Sequence, residues 1–148
     1  MHHGTKLAAG LLAIAGTVGF ASASFAQQPP SKAEQSAKYR QSVYQVIVWN
    51  FGPMAGAVQG KAPYDKDAFA KQAARVAALT PMLAEGFAVE SPTAPERAKG
   101  AKASIWSSKA EFDKLMQDFV TKSAALAEVA KSGDLAKIKP AFGEVGQS

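Results

Sequence analysis

The chain has 148 residues, 47% of them apolar and 20% charged, with two histidines, no cysteine and a formal net charge of +5. That composition fits one folded domain and excludes a disordered chain, a collagen, a disulfide, a thiolate metal site and a thiol nucleophile. The positive charge is too small, and too interspersed with acidic residues, for a nucleic-acid-binding stripe.

Met1 to Lys6 carry positive charge, Leu7 to Phe20 are apolar, and a small-residue stretch ends in Ser24-Phe25-Ala26. This three-part layout predicts a secretory signal over residues 1–26 and an exported domain over residues 27–148. The apolar run of about 14 residues falls short of the roughly 20 that span a bilayer. No later segment is long and apolar enough either, so no membrane association is expected after signal removal. Cleavage would take away both His2 and His3. With them go the imidazole base of Ser-His-Asp and Cys-His catalysis and the imidazole ligands of most zinc, copper and haem sites. The carboxylates lie at no diagnostic spacing, so no enzyme and no metal site is expected.

Gln27 to Ser31 reads as a flexible lead. From Lys32 to about Met54, apolar residues at Val43, Ile47, Phe51 and Met54, flanked by Tyr44 and Val48, keep a helical period. Val46 and Trp49 widen this apolar face. A helix so apolar has to be covered on more than one side, by the rest of the fold or by a second subunit. The helix is expected to run to about Met54, with Gly52-Pro53 near its end, and Gly56 to Pro63 reads as a turn-rich connection. Asp65 or Asp67 is placed to cap a second helix, whose inner face is Phe69, Ala73, Val76, Thr80 and Leu83, with Pro81 kinking or ending its last turn. Glu85 to Ser107 reads as a long loop, broken by Gly86, Pro92, Pro95 and Gly100.

Ser108 and Glu111 have the spacing of a capping box, which predicts a third helix running to about Lys131. Its apolar face is Phe112, Leu115, Phe119, Leu126 and Val129. Ser132-Gly133-Asp134 then stops one helix and caps the next. Leu135, Ile138, Phe142 and Val145 mark a fourth amphipathic helix, kinked at or starting from Pro140. The expected fold is all-α, an antiparallel up-down-up-down four-helix bundle with a truncated fourth helix.

Six strings of this sequence resemble one family at its spacing: Lys38-Tyr39-Arg40-Gln41-Ser42, Asn50-Phe51-Gly52-Pro53-Met54, Ala62-Pro63-Tyr64-Asp65, Ile105-Trp106-Ser107, Ser132-Gly133-Asp134-Leu135 and Ala141-Phe142-Gly143-Glu144-Val145-Gly146. The family is cytochrome c prime, the periplasmic four-helix haem protein of proteobacteria, and the resemblance covers the whole domain. It implies haem c as cofactor, electron transfer or nitric oxide and carbon monoxide binding as function, redox proteins or small gases as partners, and a homodimer formed through helix one. In that family a Cys-x-x-Cys-His motif follows the Gly-Glu-Val-Gly-type stretch, attaches the haem and supplies its one strong axial ligand. Here the sequence stops at Ser148, where that motif would begin. Covalent attachment is therefore not possible in the chain as given.

What the resemblance carries over is the distal side. It assigns Arg40 and Gln41 to the haem edge and propionates, Tyr44 to the cover of the iron's open face, Phe119 to the pocket wall and Lys102 to the loop side. Without the resemblance, Arg40 reads as a solvated surface residue and Tyr44 as a core aromatic. Trp49 and Trp106 read as packing or interface residues. Met54, Met82 and Met116 are the remaining soft side chains, and a lone thioether without an opposing histidine is a poor anchor for haem. The alternative function is a haem-free periplasmic helical bundle that serves as a binding or interaction module.

Overall fold

The computed structural model describes Met1, residues 29–93 and residues 100–148. Past Met1, the expected export signal lies outside the described residues, as does Pro95. Among the described residues, four long helices, α1 (Lys32–Val58), α2 (Lys66–Glu85), α4 (Lys109–Ala130) and α5 (Leu135–Gln147), and a single short turn, α3 (Ser104–Ser107), make up the regular structure.

A capping box that the sequence reading passed over starts α1. The Ser31 backbone N–H donates to the Glu34 carboxylate at 2.7 Å, and the Glu34 N–H donates to Ser31 Oγ at 3.2 Å. The helix runs past the end expected near Met54, straight through Gly52-Pro53, to Val58. Pro53 withholds an N–H from the carbonyl of Trp49, but Trp49 is 81% exposed, on a side of the helix that water reaches. Past the helix end the chain turns at Gly60, whose φ of +70° suits a residue without a Cβ. There the Lys61 N–H donates to the Gly56 carbonyl and the Gly60 N–H to the Ala57 carbonyl, satisfying two of the last acceptors of the helix.

Asp65 caps α2 as expected, its carboxylate accepting from the N–H groups of Asp67 and Ala68 at 2.9 Å. The expected inner face, Phe69, Ala73, Val76, Thr80 and Leu83, is buried throughout. Pro81 neither ends α2 nor leaves its acceptor bare: the Thr80 hydroxyl donates to the Ala77 carbonyl, the group that a residue-81 N–H would have served, at 3.2 Å.

The stretch expected as uninterrupted loop contains α3, and this turn undoes the expected capping box. Ser108 N–H is already bonded to the Ser104 carbonyl and its φ and ψ are −117° and 43°, so its hydroxyl makes no cap bond. On α4 only Leu126 of the expected apolar face is fully buried. The other buried positions are Ser123, Ala127 and Ala130, small residues that let neighbouring helices come close, and Leu115 is 58% exposed. Gly133, at φ +68°, and Asp134, which accepts from the Ala136 N–H at 3.0 Å, make the tight α4–α5 corner. The fourth long helix runs unbroken from Leu135 through Pro140 and buries Ile138, Phe142 and Val145.

The helices form an antiparallel four-helix bundle closed as a ring: α1 packs on α2, α2 on α4, α4 on α5, and α5 on α1. Two apolar clusters fill it. One gathers Met54, Phe69, Leu126, Ile138 and Phe142, the other Val43, Ile47, Val76 and Leu83. Phe51 and Phe119 pack against both, and the space between α1 and α4, which face each other diagonally, opens at that junction.

Candidate functional site

The diagonal gap between α1 and α4 is a cleft of about 410 Å³. Its walls follow from helical spacing. Tyr44 and Val48, and Ile47 and Phe51, are pairs one turn apart on α1; Phe112 and Met116, and Leu115 and Phe119, are their counterparts on α4. Val76 of α2 contributes to the lining, and Val145, Gly146 and Ser148 line the side where α5 ends. Tyr44, Val48 and Leu115 are all about half exposed, so the cleft meets solvent at these residues. Its volume lies in the range of about 300–1,000 Å³ usual for small-molecule sites, and its lining is mostly apolar and aromatic, as such sites require.

Beyond Tyr44 lies a smaller cavity of about 240 Å³ on the loop side, lined by Arg40, Gln41 and Tyr44 from α1, Leu83 and Phe87, and the loop residues Thr93, Gly100, Ala101 and Ile105. Arg40 is only 4% exposed. Its guanidinium lies over two adjoining aromatic rings, 5.1 Å from the Phe87 centroid and 5.6 Å from that of Trp106. It donates to the Ser91 hydroxyl, the Ser91 carbonyl and, at 3.3 Å, the Gly86 carbonyl. Ser36, one turn earlier, donates to the same Gly86 carbonyl at 2.8 Å, and Trp106 Nε1 donates to the Phe87 carbonyl at 3.0 Å. Among the described residues no carboxylate pairs with Arg40. Burial lowers its pKa, but a guanidinium stays protonated in a protein. The result is a desolvated cation held by neutral acceptors and ring faces beside a cavity.

Gly86 is what allows this approach. A Cβ there would lie 2.5 Å from Arg40 Cβ.

Four of the five residues singled out from sequence come together here. Arg40, Gln41 and Tyr44 share the loop-side cavity, and Tyr44 and Phe119 share the cleft. Lys102 lies apart, exposed on the loop next to Ala101, with its carbonyl accepting from the Ile105 N–H. Tyr44 is not a core aromatic: at 57% exposure it is the wall common to the cleft, the loop-side cavity and a shallow outer groove of about 470 Å³ formed by Gln45, Val48, Trp49 and Pro53. Arg40 is not a solvated surface residue either. Ser91 and Gly86, which hold it, gave no sequence signal because they act through a hydroxyl and backbone carbonyls some fifty residues away.

The cleft suits the flat apolar body of a haem. Among the described lining residues its one soft donor is the Met116 thioether and there is no histidine; the sequence has no cysteine. Among the described residues no group of three His, Cys, Asp or Glu side chains could hold a metal ion.

The family model described as Cytochrome C' matches residues 35–148. A cytochrome c' of Alcaligenes xylosoxydans xylosoxydans is 36% identical over 118 residues, which is 80% of this chain and 89% of that protein. One from Rubrivivax gelatinosus is 36% identical over 111 residues, covering 74% and 83% of the two chains. Among solved structures, cytochrome c prime from Shewanella frigidimarina superposes with a TM-score of 0.68 at 37% identity, over 80% of this chain and 91% of that one. A ferrous variant of the Alcaligenes xylosoxidans protein with bound NO superposes with the same score at 31% identity, over 80% and 90%.

Proposed function

Because the chain belongs to the cytochrome c' family, we propose that the cleft between α1, α4 and the end of α5 is its haem seat, and that the protein serves electron transfer or the binding of small gases. The family is periplasmic, binds haem c and is generally non-enzymatic. What supports the reading most is the position of the Gly-Glu-Val-Gly stretch. Val145, Gly146 and Ser148 line the same cleft as Tyr44 and Phe119, so whatever follows position 148 leaves from its rim. In the family that is where the Cys-x-x-Cys-His motif stands.

Bound there, haem would supply a one-electron centre and an iron able to bind a diatomic gas. The chain's own residues would provide the surroundings. Tyr44, half exposed at the mouth of the cleft, would stand in the path of an entering gas. Phe119 closes the wall from α4. The Arg40 guanidinium, buried without an anion beside it, gains most from a propionate, and the Gln41 amide adds a neutral donor. Lys102 contributes positive charge on the loop side. Since the chain has no cysteine and no described lining residue is a histidine, holding haem covalently would require the motif that follows this stretch in the family. The residues before the bundle act as an export signal, and among the described residues no helix is long and apolar enough to cross a membrane.

A second copy is the proposed partner for α1. Tyr44, Val46, Val48 and Trp49 are all exposed there, and an exposed tryptophan beside an apolar groove is the usual anchor of a protein interface. Trp49→Glu should give a monomer in sedimentation; an unchanged dimer would place the interface elsewhere.

The test of the haem reading is to extend the chain with Cys-x-x-Cys-His directly after Ser148 and produce it in a periplasm that matures c-type cytochromes. One haem per chain by intact mass, with a haem absorption spectrum, is expected. A folded, haem-free product would sink the reading. The lack of cysteine favours one other reading, a haem-free binding module, for the 148-residue chain by itself. Tight stoichiometric haem binding by that chain without the extension would count against it.

A further inference from the structure

We infer that Phe142 is a positioning residue, whose ring, stacked on Phe51, sets where the last turn of α5 meets the cleft. The inference rests on the reading that the cleft's occupant is fastened at that end.

Of the neighbours in the ring, α5 has its broad contact with α4 and only a slender one with α1. The slender contact carries the one face-to-face ring stack among the described aromatic pairs: Phe51 and Phe142 lie with centroids 4.3 Å apart and planes 8° from parallel. Phe51 is also a wall of the cleft, and Phe142 is not. On α5, Val145 and Gly146 follow Phe142 by three and four residues, so all three lie on one face of the helix. A Cβ on Gly146 would be 4.0 Å from Phe51 Cζ, which places the Phe51 ring against the last turn as well as against Phe142. A flat ring pair at this separation restricts rotation of α5 about its axis more than an aliphatic contact would. Rotation of α5 is the motion that would carry Val145, Gly146 and Ser148 away from the rim. The other aromatic neighbour of Phe142, Phe69, is tilted at 55° with centroids 6.4 Å apart and touches α5 from the α2 side. It contributes bulk without this constraint.

The absence of cysteine makes the test clean, because two introduced thiols are then the only labelling sites. Nitroxides at Ser148→Cys and Lys71→Cys, both exposed positions, report the place of the α5 terminus relative to α2 by pulsed dipolar EPR on the haem-free 148-residue chain. With Phe142 intact a single narrow distance distribution is expected. Phe142→Leu should shift and broaden it, and Phe51→Leu, which removes the other ring of the pair, should do the same. Phe69→Leu deletes the same volume from the same cluster and should lower the melting temperature while leaving the distribution narrow. An unchanged distribution in folded Phe142→Leu, or equal broadening in Phe69→Leu, would reduce Phe142 to ordinary core and overturn the inference. If Phe142→Leu does not fold, the half-buried partner Phe51→Leu carries the test alone. Failure of the extended chain to take haem would remove the functional reading and leave these distances standing.

Discussion

Thr80→Val in α2 isolates a single hydrogen bond. The substitution keeps shape and volume but deletes the hydroxyl that donates to the Ala77 carbonyl at 3.2 Å, at a residue that is 0% exposed. Pro81 offers no N–H to that carbonyl, so the deletion leaves a partly buried acceptor without its protein partner, a loss of up to about 1–3 kcal/mol. The gain from burying a methyl in place of a hydroxyl offsets part of it, and the expected net destabilisation is about 1–2 kcal/mol. Urea denaturation followed by far-UV circular dichroism reads this directly. The decisive measurement is a double-mutant cycle with Pro81→Ala, which restores a backbone N–H for Ala77. In that background Thr80→Val should cost close to nothing, because the acceptor has its ordinary helical partner. Equal costs in both backgrounds would refute the claim that the hydroxyl substitutes for the proline's missing donor.

Gly86→Ala places a Cβ 2.5 Å from Arg40 Cβ and 3.2 Å from the Leu83 carbonyl; forcing α1 and the loop apart should cost about 1–3 kcal/mol in the same denaturation assay and red-shift the Trp106 emission. Ser123→Ala should be neutral or stabilising by up to about 1 kcal/mol, since the buried Ser123 hydroxyl has no hydrogen-bond partner; a loss larger than that would mean that the hydroxyl is paired. The Ser31 N–H and hydroxyl hold the Glu34 carboxyl below its ordinary value of 4.5. Its contribution is therefore fully present above that value and is lost as pH falls through the lowered one. Glu34→Gln should flatten the acid limb of the stability curve and leave no new pH dependence above pH 6.

The helices that were legible in the sequence are those whose signals are local. Asp65, Gly133 and Asp134 cap or turn the chain through their own side chain or φ, and the buried face from Phe69 to Leu83 follows from period alone. The Ser108–Glu111 pair failed because α3 feeds Ser108 into α4 already bonded to Ser104, so the extended backbone that a capping serine needs is not available. The end expected near Met54 came a turn early, because the N–H that Pro53 lacks falls on the exposed Trp49 side of the helix and α1 continues to Val58. Period also marked Leu115 as core, although it stands at the mouth of the cleft. An apolar stripe shows that a face is covered or lined, and whether the neighbour is a helix or an open gap depends on how all four helices close the ring. For the site, the family resemblance pointed to Arg40, Gln41, Tyr44, Phe119 and Lys102, of which Lys102 lines neither cavity. The part it could not supply is the setting of Arg40, because its partners are two backbone carbonyls, a serine hydroxyl and two ring faces brought in by the loop.

The most direct test of the haem seat is a comparison of methyl NMR spectra of the chain extended with Cys-x-x-Cys-His, loaded with haem, and the haem-free 148-residue chain. Large ring-current and paramagnetic shifts confined to the methyls that line the cleft, those of Ile47, Val48, Val76, Leu115, Met116 and Val145, with Ala57 and Ala130 at the far end of the bundle unmoved, are predicted. Shifts centred elsewhere, or spread evenly over the bundle, would contradict the assignment of the cleft.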